Sequence, residues 1–205
     1  MNMFRILFWF GSIGLATILG AGCGGDGTPK GPVGVGLDMD AVLEQRGGEI
    51  VAEACTIVAI EDIAEALGLE PNEIEVTDSS YPGKDRKASS CFFKWNHFDL
   101  PNSGILLQFQ RNTFADEYPD YFVGVIESKK TSGESGLAPE TIFFDDFPDI
   151  GDDGAYSYKA GSAVWRLGNK VMLSIAFNTT FSEKEQYKIA RKIAVKMTEN
   201  YIAGK

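Results

Sequence analysis

The feature that most constrains the fold is a pair of strand-like segments followed by a long amphipathic helix. Residues 162–167 and 170–177 are apolar-rich, of strand length and rich in β-branched and aromatic side chains. Gly168-Asn169 separates them, and this dipeptide suits the two-residue turn of a hairpin. The sequence therefore predicts an antiparallel hairpin near the C terminus.

The segment after this hairpin has the start, stripe and end of an amphipathic helix. Ser182 with Glu185 three residues later forms a capping box, and Gly204 marks the end. Apolar side chains recur between these points at helical spacing: Ile189, Ala190, Ile193, Ala194, Met197 and Tyr201. Such a stripe is typical of a helix that packs on a hydrophobic core.

The rest of the chain after residue 36 predicts further strands and helices without βαβ alternation. Strands are expected at 74–77, 91–95, 104–111, 141–144 and 155–159, with 91–95 and 104–111 as antiparallel neighbours across the loop 96–103. Helices are expected near 40–45, 59–67 and 115–130. Together they predict one α+β domain, residues 37–205, with an antiparallel sheet and helices packed on one face.

The first 22 residues have the pattern of a secretory signal peptide. Arg5 precedes an uncharged apolar run over 6–19, and Gly20-Ala21-Gly22 follows it. The apolar run is shorter than the roughly 20 residues of a membrane-spanning helix. An uncleaved membrane anchor is the alternative.

The small residues followed directly by Cys23 resemble the lipobox of bacterial lipoproteins. The resemblance implies that residues 1–22 are removed, that the Cys23 thiol receives a diacylglyceryl group, and that the new amino terminus is acylated. It places the protein at the cell membrane or the outer membrane, facing the periplasm or the exterior. Gly20 departs from the larger apolar residue usual at that position, and ordinary cleavage after Gly22 is the alternative.

The cysteine count agrees with lipidation. Three cysteines would remain after cleavage, Cys23, Cys55 and Cys91, and an exported protein with an odd number needs a fate for the unpaired thiol. If Cys23 carries lipid, Cys55 and Cys91 can form a disulfide, which an oxidising compartment favours. Two separate buried thiols are the alternative.

Composition limits the partners of the mature chain. Loss of residues 1–22 removes Arg5 but none of the 29 acidic residues, so the formal charge changes from −10 to −11. Because such a chain repels phosphate backbones and anionic lipid headgroups, nucleic acid is not expected as a partner. Membrane attachment would come from lipid on Cys23, followed by a glycine-rich flexible tether that extends to residue 36.

A second resemblance covers about residues 54–203. Three motifs carry it. The first is a cysteine before a helix that ends in Leu-Gly, CTIVAIEDIAEALG, and the second is another cysteine, in CFFKW. The third, before a hairpin and a closing helix, is Gly151-Asp152-Asp153-Gly154-Ala155-Tyr156. Together they resemble uncharacterised actinobacterial lipoprotein domains. The third motif is one residue longer than usual, and Ala59 replaces a capping Thr or Ser. The resemblance implies a fold rather than an activity.

Residues with catalytic or metal-binding chemistry are scarce. The single histidine, His97, lies in the predicted loop without a nucleophile motif, and one histidine with bridged cysteines does not form a zinc site. The acidic run Asp145, Asp146, Asp149, Asp152 and Asp153 lacks the spacing of an EF-hand. Its last three members are a weak candidate for calcium, and a solvated turn is the alternative.

No phosphate-binding loop or dinucleotide motif is present, and no cofactor is expected. Aromatic side chains that either pack in the core or line a ligand groove are Phe92, Phe93, Trp95, Tyr156, Tyr158 and Trp165.

These observations predict a membrane-anchored, non-enzymatic accessory or binding module of the cell envelope that contacts a protein or a small ligand. A carboxylate-dependent hydrolase of envelope polymers and a purely structural envelope protein are the alternatives.

Overall fold

The computed structural model describes residues 31–48, 50–80, 87–135 and 140–205. The predicted signal peptide, Cys23 and most of the predicted tether lie outside these residues. Within them, no helix is both long enough and apolar enough to span a bilayer.

The core of the structure is a seven-stranded antiparallel sheet. In chain order the strands are β1 Glu75–Asp78, β2 Ala88–Trp95, β3 Ser103–Arg111, β4 Glu134–Ser135, β5 Thr141–Ile142, β6 Asp145–Asp146, β7 Asp153–Ser157, β8 Ser162–Leu167 and β9 Val171–Asn178. The spatial order is β1-β2-β3-β9-β8-β7-β6, while β4 and β5 pair separately. The helices are α1 Met39–Gln45, α2 Ile60–Leu67, α3 Tyr121–Thr131 and α4 Glu183–Ile202. The predicted α+β class is confirmed.

One side of the sheet, the core face, packs against α2 and α4. Its largest fully buried side chains include Trp165, Phe93 and Phe109 from the strands and Tyr201 from α4. The rings of Phe109 and Tyr201 stack with centroids 5.9 Å apart. The Trp165 Nε1–H donates to Oγ1 of Thr198 at 3.0 Å, so the one polar atom of this buried indole has a partner.

The predicted disulfide is present on the core face. Cys55 lies just before α2 and Cys91 lies in β2, with their Cα atoms 5.0 Å apart. The bridge therefore links the short helix α2 to the sheet, as the cysteine pattern predicted.

The opposite side, the groove face, is covered by α3 over β7 and β8. Ile126 of α3 packs with Phe144 and with Ala155 and Val164, which pair across β7 and β8. Toward β2 and β3 this face carries the half-buried Phe92 and Leu106. Helices thus occupy both faces, with α2 and α4 together on one.

Helix α3 begins at Tyr121, later than the predicted start at residue 115. Residues 113–117 form turns, and a residue before proline, here Tyr118, disfavours helical backbone. The Asn112 side-chain amide donates to the carbonyl oxygens of Tyr118, Pro119 and Asn169. These bonds hold the segment in a loop against the β8–β9 turn.

Packed structure also extends upstream of the predicted domain boundary at residue 37. The Val33 amide donates to the Asp149 carbonyl at 2.8 Å, the Gly151 amide donates to the Val33 carbonyl at 2.8 Å, and Val33 forms an isolated parallel bridge with Ile150. The last residues of the segment predicted as a tether therefore lie against the domain.

Candidate functional site

A groove of about 670 Å³ lies along the outer side of α3. Its walls come from the loop before α3, from the helix itself and from the residues after it. We call it the α3 groove, lined by Glu117, Tyr118, Pro119, Asp120, Tyr121, Gly124, Val125, Ser128, Lys129, Gly133 and Glu134. This volume falls within the range of ordinary ligand pockets.

The division of α3 into a side that packs on the sheet and a side that faces outward explains why the groove forms here. Phe122 and Ile126 point to the sheet and are buried, whereas Tyr121 and Val125 lie on the side of the helix that lines the groove. At Gly124 a Cβ atom would meet no atom within 4 Å, so the missing side chain leaves open space between its neighbours. The sequence thus supplies both an apolar wall and a gap in it.

Exposed aromatic rings crowd the end of the groove where α3 begins. Tyr118 is 61% exposed and Tyr121 is 43% exposed. The Tyr121 ring makes tilted contacts with those of Phe114, at 5.4 Å between centroids, and Phe122, at 5.6 Å. Because Phe122 is buried in the fold, its contact anchors the Tyr121 ring to the domain.

The charges that line the groove are mostly negative. Its three carboxylates belong to Glu117, Asp120 and Glu134, against one ammonium group, that of Lys129. Lys129 forms an ion pair with Glu134, and its Nζ lies 4.7 Å from the centroid of the Phe144 ring. The field inside the groove therefore favours a cation.

Direct contacts place the groove next to the point where the chain enters the domain. The Asn169 side-chain amide donates to the Asp120 carboxylate at 3.0 Å. In the same turn, the Gly168 amide donates to Asp152 at 2.6 Å, and Asp152 also accepts from the Gly36 amide at 2.7 Å. Asp152 thus joins the entering chain to the turn that holds the start of α3.

The structure does not bring the predicted calcium candidates Asp149, Asp152 and Asp153 together as a metal site. Asp152 accepts the two backbone bonds above, Asp153 forms an ion pair with Lys130 at 2.7 Å, and the Asp149 carboxylate lies 3.9 Å from Arg191. Among the described residues no group of three His, Cys, Asp or Glu side chains is placed to hold a metal ion. Each of these three carboxylates therefore interacts with different partners of its own.

Lys130 forms ion pairs with two carboxylates of the acidic run. Its Nζ lies 2.7 Å from a carboxylate oxygen of Asp146 and of Asp153. Partial burial lowers the pKa of Lys130, but the hydrogen bonds to both carboxylates outweigh it and the pKa is raised. The same hydrogen bond lowers the pKa of Asp146. This cluster fastens α3 to β6 and β7.

His97 lies far from the groove, in the exposed loop between β2 and β3. Its Nδ1 accepts from the Asp99 amide at 3.2 Å, a local bond within the loop. Since β3 and β9 run antiparallel, this loop and the β8–β9 turn lie at opposite ends of the sheet. The histidine has no geometric relation to the α3 groove.

The aromatic residues that the sequence offered as core or ligand groove are mostly core. Phe93, Trp95, Tyr156 and Trp165 are buried. Tyr158 is exposed and its hydroxyl donates to the Phe181 carbonyl at 3.0 Å. Tyr118 and Tyr121 were missed, because the sequence did not show which side of the predicted helix faces the sheet.

A second concave surface lies over the core-face edge of β6 and β7, with Asp145, Asp146, Glu183 and Tyr156 among its residues. Burial raises the pKa of Tyr156 to about 12. The carboxylate-dependent hydrolase considered above would need a carboxylic acid that protonates the leaving group, and such an acid needs a raised pKa. The four carboxyl groups whose pKa is shifted in the described structure are all shifted downward: Glu65, Asp78, Asp146 and Glu185.

No family model, no curated protein and no solved structure matched the chain. The site is therefore defined by the chain's own geometry, as a pre-formed aromatic groove with an acidic lining beside the entry point of the N-terminal segment.

Proposed function

We propose that the chain is an exported lipoprotein, anchored through Cys23, whose domain is a non-enzymatic binding module of the cell envelope. Its α3 groove binds a basic, partly apolar segment of another envelope protein. The observation that carries this proposal is the coincidence of two exposed tyrosines, one of them packed against Phe114 and Phe122, with an acidic lining in the α3 groove. An accessory protein that captures a partner needs such a surface, and catalysis does not.

Two features support the lipid anchor. The residues before Cys23 have the lipobox pattern described above. The other two cysteines of the chain form the bridge between α2 and β2, which leaves Cys23 as the one cysteine outside it.

The groove suits a basic peptide for two separate reasons. Tyrosine rings attract cations through their π faces, with about 0.5–1 kcal/mol for each exposed contact. The carboxylates of Glu117 and Asp120 add an attraction that salt screens. Both forces act at the same end of α3, so a lysine or arginine beside an apolar residue satisfies them together.

A peptide-binding assay tests the proposal directly. The probes are two fluorescent 12-residue peptides that alternate leucine with lysine in one and leucine with glutamate in the other. We expect the lysine peptide to bind the purified domain and the glutamate peptide to bind at least tenfold more weakly. The double variant Tyr118→Ala/Tyr121→Ala should lose binding at least tenfold, because it removes both rings.

Phe98→Ala is the matched control, since Phe98 is an exposed aromatic residue at the opposite end of the sheet. This variant should bind as the parent does. Equal binding of both peptides, or unchanged binding after loss of both tyrosines, would overturn the proposed site. Hydrolysis of an envelope polymer that disappears with Asp145→Asn would replace the proposal with the enzymatic alternative.

A further inference from the structure

We infer that the α3 groove lies on the membrane-proximal end of the anchored domain, so that its ligand is a basic segment close to the bilayer surface. The inference rests on the proposed lipid anchor at Cys23. It concerns orientation, which the proposed binding function by itself does not fix.

The first step is that the entering chain is held at a defined point. Beside the two backbone bonds of Val33, the Gly36 amide donates to Asp152. Gly34 has φ +74°, and a Cβ there would lie 2.7 Å from Cγ2 of Thr198 and 3.1 Å from Leu167. Since only glycine fits this close approach, the segment packs tightly into the domain.

The second step is that this point and the groove share one end of the sheet. Asp152 binds Gly36 and Gly168, and Asn169 binds Asp120 in the groove wall. At the other end of α3, Lys130 binds Asp153, the residue after Asp152. Both ends of the helix are therefore tied to the neighbourhood of the entry point.

The third step is the reach of the anchor. Val33 is ten positions after Cys23, and a fully extended chain covers at most about 35 Å over that length. A domain of this size has a radius of gyration of about 15 Å, equivalent to a sphere about 40 Å across. The fully extended segment from Cys23 to Val33 is thus shorter than the domain is wide. The end of the domain at which the chain enters therefore stays closer to the membrane than the end that carries Phe98.

The charge of the groove selects the class of ligand at that surface. Glu117 and Asp120 repel anionic lipid headgroups, so the lipid surface itself does not fill the groove. A basic segment of a neighbouring membrane protein has the opposite charge and lies at the same height. The orientation thus gives the groove access to a surface that a freely tumbling domain would meet only part of the time.

Energy transfer in liposomes tests the orientation. Full-length lipidated protein carrying Tyr118→Cys or Phe98→Cys is labelled with a donor dye, and the lipid headgroups carry the acceptor. Bridged Cys55 and Cys91 and acylated Cys23 leave the introduced thiol to react. We expect at least twofold greater transfer from position 118, and equal or greater transfer from position 98 would overturn the inference.

A lengthened anchor provides the control. Insertion of 20 Gly/Ser residues after Gly27 should make transfer from the two positions similar, since the domain is then free to turn. Cys23→Ser should abolish membrane association and transfer at both positions, and if it does not, the anchor itself is wrong. Peptide binding at the groove is measured without liposomes, so failure of the binding proposal and failure of the orientation are distinguishable.

Discussion

The two faces of the sheet differ in how completely they are covered. On the core face, the 20-residue helix α4 and the disulfide-linked helix α2 enclose a large continuous cluster of buried side chains. On the groove face, the 11-residue helix α3 covers β7 and β8 over a much smaller cluster. The fold is thus held mainly from one side, and the α3 groove lies on the less completely covered side.

The largest expected effect is on the core face. Trp165→Ala removes a side chain that is 0% exposed and hydrogen-bonded to Thr198, so it should lower the free energy of unfolding by about 3–5 kcal/mol. Urea unfolding followed by circular dichroism measures this. Phe98→Ala, at an exposed position, should change it by less than about 0.5 kcal/mol, and similar costs for both would break the comparison.

Loss of the disulfide should be nearly as costly. Cys55 and Cys91 are 36 residues apart, and for a loop of that length the chain-entropy model gives about 4 kcal/mol. The Cys55→Ala/Cys91→Ala variant, unfolded in urea, should show this loss, and the parent protein under reducing conditions should match it. A loss under about 1 kcal/mol would mean that α2 is held to the sheet by packing alone.

The groove face should respond more weakly and more locally. Ile126→Ala empties a fully buried position of the small cluster, and we expect a cost of about 2 kcal/mol, at the lower end for such changes. Hydrogen exchange should speed up in α3 while α4 stays protected. The matched variant Ile193→Ala on α4 should instead weaken protection across the whole sheet, and the same pattern in both variants would contradict the division into two faces.

Acid should weaken one ion pair of α3, and this is the smallest of the expected effects. Because the pKa of Asp146 is lowered in the folded state, its ion pair with Lys130 stabilises the fold above the ordinary pKa of 3.8 and is lost as pH falls through the lower folded value. Asp146→Asn should therefore flatten the dependence of Tm on pH between about 5 and 2. Asp116→Asn, in the loop before α3, is the control and should leave the parent slope intact.

Local patterns predicted the hairpin and the closing helix well. The hairpin followed from Gly168-Asn169 between two apolar segments, and the structure pairs β8 with β9 there. Leu167 pairs with Val171, so the turn has three residues, 168–170, and the predicted two-residue turn was wrong. The capping box of Ser182 and Glu185 is formed at the start of α4. In both cases the determining residues are neighbours in sequence, so the pattern carries the needed information.

The parts that were missed depend on contacts between distant residues. The late start of α3 reflects Asn112, whose amide reaches Asn169, 57 residues away. The segment around Val33 was predicted to be part of a glycine-rich tether, whereas it packs on the domain. Its bond from Gly36 to Asp152 spans 116 residues, and a local sequence pattern does not reveal such a contact. The groove could not be predicted for the same reason, since it depends on which side of α3 meets the sheet.

The bonds of Asp152 also provide one route by which mechanical load would enter the domain. A pull on the N-terminal segment enters at Val33 and Gly36 and reaches the β8–β9 turn through one carboxylate. From there it passes through Asn169 to the first residue before α3. Tension on the N-terminal segment therefore acts on the start of α3 as well as on the core, which Gly34 meets at Thr198 of α4 and Leu167 of β8.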